Sequence, residues 1–241
     1  MKRKILFNLL ACGILLGGMP VYGQSSSTCS YFTDDIWYFG TGGGGIAFNT
    51  NSDREKVAVS ASGESLVNVN ENALSVSSPG CGSSLIFYSQ HDKLYNAKHE
   101  VMQAGDFTGH QSVADGLAAC YIGDNQYMLF SVTHAYEEPG VTMELQYHII
   151  DMNADGGYGK RIDTKTLETT GMSESVELIP VPGTSDQYWL VYNMRSLNEI
   201  RVRKITGKSV SDVSKTLPMS ISPSSSYHLK DNSKYNMPAM A

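Results

Sequence analysis

The sequence predicts an all-β fold, and three observations carry the prediction. Apolar residues fall in short runs rich in Val, Ile, Tyr, Phe and Leu. Polar or Gly/Pro turns punctuate those runs at short intervals. No window of helical length carries a convincing 3.6-residue apolar stripe. The best helical candidate, Lys98 to Gln103, is too short to build a helical layer. Short strands at regular spacing with turn signals are the pattern of a sandwich, a barrel or a propeller.

The runs follow one another along the chain. Ile36-Trp37-Tyr38-Phe39 opens the fold after a polar leader, and a Gly-rich stretch from Thr41 to Gly45 leads into Ile46-Ala47-Phe48. Val57-Ala58-Val59, Leu66-Val67, Leu74-Ser75-Val76, Leu85 to Tyr88 and Leu94-Tyr95 come next. Leu117 to Ile122, Tyr127 to Val132, Leu145 to Ile150, Val176 to Ile179, Tyr188 to Tyr192 and Ile200 to Ile205 complete the set. Alternation assigns faces in two of them. Leu145, Tyr147 and Ile149 share one face, with Gln146 and His148 opposite. Ile200, Val202 and Lys204 oppose Arg201, Arg203 and Ile205. Two hairpins can be drawn firmly. One joins Ala119–Ile122 to Tyr127–Val132 through Gly-Asp-Asn-Gln, and the other joins Val176–Ile179 to Tyr188–Tyr192 through a Pro/Gly loop. Spacing between them does not establish an internal repeat.

Composition narrows the function classes. Hydrophobic residues make up 41% and charged residues 17%, which argues against a disordered chain. A net charge of -6 gives no electrostatic footprint for nucleic-acid binding. The N-terminus reads as a secretory signal peptide over residues 1–23: Lys2, Arg3 and Lys4, then an apolar run from Ile5 to Leu16, then a Gly/Pro-broken end. That run is short for a transmembrane span, and no later apolar stretch has the length for one. A lipoprotein reading through Leu9-Leu10-Ala11-Cys12 is weaker, because more apolar residues follow Cys12. Residues 24–35 form the polar leader, and residues 36–241 the β domain. Cys29, Cys81 and Cys120 remain after cleavage, an odd count that is no disulfide scaffold. Cys81 and Cys120 read as small buried hydrophobes.

Few residues stand out chemically. Asp151, Asn153 and Asp155, followed by Gly156, match the first half of a calcium loop, where oxygens at alternate positions converge on a hard cation. The twelfth position is Ile162 rather than Glu, so a polar turn between two strands is the plainer expectation. The glycine run Gly42 to Gly45 lacks the Lys-Ser/Thr and helix start of a phosphate loop. The six histidines are scattered at no standard zinc spacing and read as surface or turn residues. Asp34-Asp35 and Glu137-Glu138 are adjacent carboxylates, which on a strand point to opposite faces. Trp37, Tyr38, Phe39, Tyr188, Trp189 and Tyr192 could form a sugar-stacking platform, but strand aromatics more often fill a core. No catalytic residue is expected.

The collinear order of several segments resembles the N-terminal region of large secreted Bacteroidetes surface proteins. Those proteins are associated with gliding motility or type IX secretion and often carry PKD domains downstream. The matching segments are Trp37 to Gly40, the Gly-rich stretch into Asn49, Gly80-Cys81, Leu85 to Tyr88, Leu94 to Asn96 with His99 and Met102, Tyr127 to Val132, Leu145 to Gly159 and Tyr227 to Lys234. The family pattern favours an acidic residue at Ala47, an Asp-Gly turn at Gln90-His91 and Trp at Tyr95. The resemblance implies a β-propeller-like array of about four four-stranded blades, complete or partial, with no enzymatic activity. It points to an exported envelope or cell-surface protein in the periplasm, on the outer surface or outside the cell. Such a protein would bind a protein or glycan partner through propeller loops, with no cofactor beyond possible calcium. The alternatives are a secreted propeller-type glycoside hydrolase and a truncated relic of a larger surface protein.

Overall fold

The computed structural model describes residues 36–38, 44–50, 56–61, 67–68, 71–78, 84–134 and 142–219. The expected signal peptide, polar leader, Cys29, Cys81, Phe39, Asp34-Asp35, Glu137-Glu138 and Tyr227 to Lys234 lie outside the described residues. The fold is all-β. Its strands are β1 (Ile36–Tyr38), β2 (Gly45–Thr50), β3 (Lys56–Ala61), β4 (Ala73–Ser77), β5 (Leu85–Gln90), β6 (Lys93–Asn96), β7 (Val101–Asp106) and β8 (Leu117–Gly123). They continue as β9 (Gln126–Val132), β10 (Leu145–Asp151), β11 (Lys160–Glu168), β12 (Met172–Pro180), β13 (Gln187–Met194), β14 (Glu199–Thr206) and β15 (Ser209–Pro218). Among the described residues, the non-strand helical structure consists of two single 3-10 turns, Asp155–Gly157 and Arg195–Leu197. The helical candidate Lys98 to Gln103 is instead a turn followed by β7.

Pairing is almost entirely between strands adjacent in sequence. The order is β1-β2-β3 in one sheet, β4-β5-β6-β7-β11-β10-β9-β8 in an eight-stranded sheet, and β12-β13-β14-β15 in the last. The eight-stranded sheet is two antiparallel meanders joined at one parallel contact, Lys160 against Gln103. Arg161 reinforces that junction. Its Nε donates to the Ala104 carbonyl at 2.8 Å and its Nη2 to the Asp106 carbonyl at 2.6 Å. The two meanders fold back on each other, so that β4 also approaches β8.

The meanders stack face to face, with a separate apolar layer at each contact. Tyr38 and Val67 pack with Tyr88 and Tyr95 between the first sheet and the β4–β7 meander. Phe87, Leu94 and Met102 meet Tyr127, Leu129 and Ile150 in the next layer. Met128, Phe130, Tyr147 and Ile149 meet Val176, Leu190, Tyr192 and Ile205 in the last. The β8–β11 meander therefore has both faces covered. That is why every residue of β9 is buried, where a one-sided strand would alternate. The first strands of successive layers stand next to one another, β1 by β4, β4 by β8 and β8 by β12.

Both hairpins expected from the sequence form. In the first, Asp124 and Asn125 take φ values of 52° and 57°, the doubly left-handed turn that matches strand twist. The face assignments of Leu145/Tyr147/Ile149 and of Ile205 also hold, since all four enter the last apolar layer.

Candidate functional site

Where β4, β8 and β12 run side by side, they leave a groove of about 420 Å³. Its walls are small or apolar: Ala73, Ser75, Ala118, Leu178 and the ring of Tyr188 among them. Glu71, Asp115 and Glu177 are among its lining residues, and the described lining contains no Lys or Arg. The electrostatics are therefore one-sided, offering acceptors to a ligand that carries donors. Asp115 holds a left-handed backbone, φ 53°, and its carbonyl accepts from the Val176 amide at 3.1 Å. A second strap, from the Ala114 amide to Glu174 Oε2 at 3.3 Å, fixes the same loop to β12. Asn72 is buried beside the groove. Its Nδ2 donates to the His110 carbonyl at 3.1 Å, while its Oδ1 has no hydrogen-bond partner among the described residues. Burial pushes the Tyr188 hydroxyl up to about 12, so it stays protonated.

His148 is fully buried in β10, against the expectation of surface or turn histidines. Its Nε2 lies 2.9 Å from Ser131 Oγ and its Nδ1 2.9 Å from Thr164 Oγ1, with the Phe107 ring at 4.9 Å. Arg161 donates to Thr164 Oγ1. The threonine hydrogen is then available to His148 Nδ1, which we assign as acceptor, with the ring proton on Nε2 given to Ser131. Burial, with the Arg161 charge adding, pushes the imidazole pKa down to about 3. A neutral ring that donates to Ser131 is a satisfied polar bridge across β9, β10 and β11, not a base for that serine.

The Asp151–Asn153–Asp155 motif lies where β10 ends and the 3-10 turn begins, as the turn expectation required. Asp151 Oδ1 accepts from the Asn153 amide at 3.0 Å and from Asn153 Nδ2 at 3.1 Å. Asn153 Nδ2 also donates to the Asp124 carbonyl at 2.8 Å, and Asn153 Oδ1 accepts from Asn125 Nδ2 at 3.3 Å. The motif thereby ties two turns together. Among the described residues, no group of three His, Cys, Asp or Glu side chains is arranged to hold a metal ion.

Glu168, at the end of β11, is the hub of a second polar network. It accepts from Tyr192 OH at 2.5 Å, Arg203 Nη2 at 2.8 Å and Arg201 Nη1 at 3.0 Å. Burial raises its pKa, but the hydrogen bonds from Arg203 and Tyr192 and the two guanidinium charges outweigh that and hold it below the usual carboxylate range. This network ties β11 to the β12–β15 sheet.

The aromatics divide. Tyr38 and Tyr192 are core, Tyr188 lines the groove, and Trp37 is 47% exposed. Trp189 lies half-buried on the opposite face of its strand, with Lys204 Nζ 5.8 Å from its ring. They do not converge on one platform. Cys120 is buried as a free thiol, with its pKa raised by burial, as a small hydrophobe should be. Gly44 lies in open space ahead of β2. Sequence reasoning missed the groove, because its residues are ordinary small and acidic ones spread over three distant segments. No helix among the described residues is long and apolar enough to cross a membrane. Scans against protein-family models, curated proteins and solved structures match nothing in this chain.

Proposed function

We propose that the chain is an exported, non-enzymatic binding protein of the cell envelope, related to the secreted Bacteroidetes surface proteins it resembles. Its layered meanders form a β-propeller-like array, and a protein or glycan partner lies along the groove between β4, β8 and β12. The observation that carries this reading is the groove itself, built from the first strands of three successive layers. First strands next to one another, layer after layer, are the arrangement in which propeller blades surround a central channel. Acceptor-only carboxylates over apolar walls suit a ligand with hydroxyl or N–H donors and an apolar face, which describes both sugars and peptides.

The test is a titration of polysaccharide fragments and of extended peptides into isotope-labelled full chain, followed by NMR. Binding should shift amides of residues 73–76, 117–120 and 176–178, and Tyr188→Ala should weaken it about tenfold or more. Shifts confined elsewhere would overturn the groove, and release of new sugar reducing ends would overturn the non-enzymatic reading in favour of the hydrolase.

A further inference from the structure

Among the described residues, the β12–β15 sheet has only one of its faces packed against another sheet. Val176, Leu190, Tyr192 and Ile205 point into the last apolar layer. Their neighbours along the strands must point the other way. Register shows what that outer face carries. Glu177 is paired with Val191, Val191 with Val202, and Val202 with Lys215. Directly paired residues of an antiparallel sheet share a face. A single row therefore runs acid, valine, valine, base across all four strands. Ile179, Trp189 and Lys204 form the next row, and Ile200 with Leu217 lies on the other side. Ile179 is 49% exposed and Leu217 43% exposed. The equivalent face of the β8–β11 meander, by contrast, is closed by a packed sheet.

We propose that this face is the interface of a two-fold dimer of the chain, with the axis parallel to the strands and between β13 and β14. That rotation carries β12 of one copy over β15 of the other. Glu177 then faces the partner's Lys215 at one rim, and Lys215 faces the partner's Glu177 at the other. The valine pairs and the flanking Ile, Trp and Leu side chains meet in the middle. An axis across the strands would instead set like charge on like charge. The row is thus complementary to itself in one orientation, as a two-fold interface requires. Sheets already pack face to face on either side of the β8–β11 meander, so the contact repeats a geometry that the chain uses internally. The proposal does not depend on the groove.

Sedimentation of the full chain over a dilution series tests it. The wild type should be a dimer that dissociates on dilution. Lys215→Glu and Glu177→Lys should each raise the dimer dissociation constant about tenfold, and the double exchange should restore it to within about threefold. Both side chains are exposed, so the variants should keep their thermal melts. Glu177 also borders the groove, which makes Lys215→Glu the cleaner single change. A chain monomeric at every concentration, a dimer indifferent to both single changes, or a double exchange no better than the singles would each overturn the proposal.

Discussion

His148 shows how much one residue's environment decides. In the sequence it is one of six scattered histidines, on the polar side of an alternating strand. In the fold that side is buried too, because a second sheet covers it. Its ring survives there by being neutral and by finding a hydroxyl for each nitrogen. The folded pKa, about 3, lies below the ordinary 6.5. A depressed pKa means that the unfolded chain binds the proton first, so the stability this site contributes is present above pH 6.5. It is lost as the pH falls from there toward 3. Chemical denaturation across that window should show stability declining with acid, and His148→Gln should flatten the decline while costing about 1–3 kcal/mol at neutral pH. An unchanged slope in the variant would assign the acid sensitivity to other groups.

At the scale of elements, legibility followed chemistry. Hairpin β8–β9 was readable because apolar strands flank Asp-Asn, a pair that tolerates the left-handed backbone the turn adopts. Strand β11, with the sequence Lys-Arg-Ile-Asp-Thr-Lys-Thr-Leu-Glu, was not readable. It lies at the outer side of its meander, where water accepts charged side chains, so no apolar run marks it. Strand β15 has the same character. The calcium-like motif was legible as a turn, but its partners were not. Asn125 and Asp124, which it binds, lie nearly thirty residues upstream (|i−j| 28 and 29). Asn125 occupies the side-chain oxygen of Asn153, and Asp151 Oδ1 is taken by the Asn153 amide and Nδ2. Excess calcium should therefore leave the melting temperature unchanged, whereas Asn153→Ala should cost about 1–2 kcal/mol by unpairing both turns. A melting temperature that rises with calcium would show that the ion outcompetes these hydrogen bonds.

Over the whole molecule, the layers differ in how firmly they are held. The β8–β11 meander is clamped from two sides, while the β12–β15 sheet is held on one side, by an apolar layer, the Glu168 network and the straps from Ala114 and Asp115 to β12. Sequence alternation did find the two arginines on one side of β14, but not that a glutamate 33 and 35 residues away unites them with Tyr192. No sequence periodicity announces such a link, since it depends on which meander stacks on which. Glu168 accepts three donors, so Glu168→Ala leaves two guanidiniums and a phenol facing a void. Local opening should then concentrate in the sheet that loses its anchor. Native-state hydrogen exchange should accelerate in β13 and β14 of the variant, with β5 and β9 slowed or unaffected relative to them. Acid should imitate the mutation. The depressed carboxylate pKa places this contribution above the ordinary 4.5 and removes it as pH falls below that value. Exchange that rose equally in β9 and β13 would instead show that the stack opens as one cooperative unit.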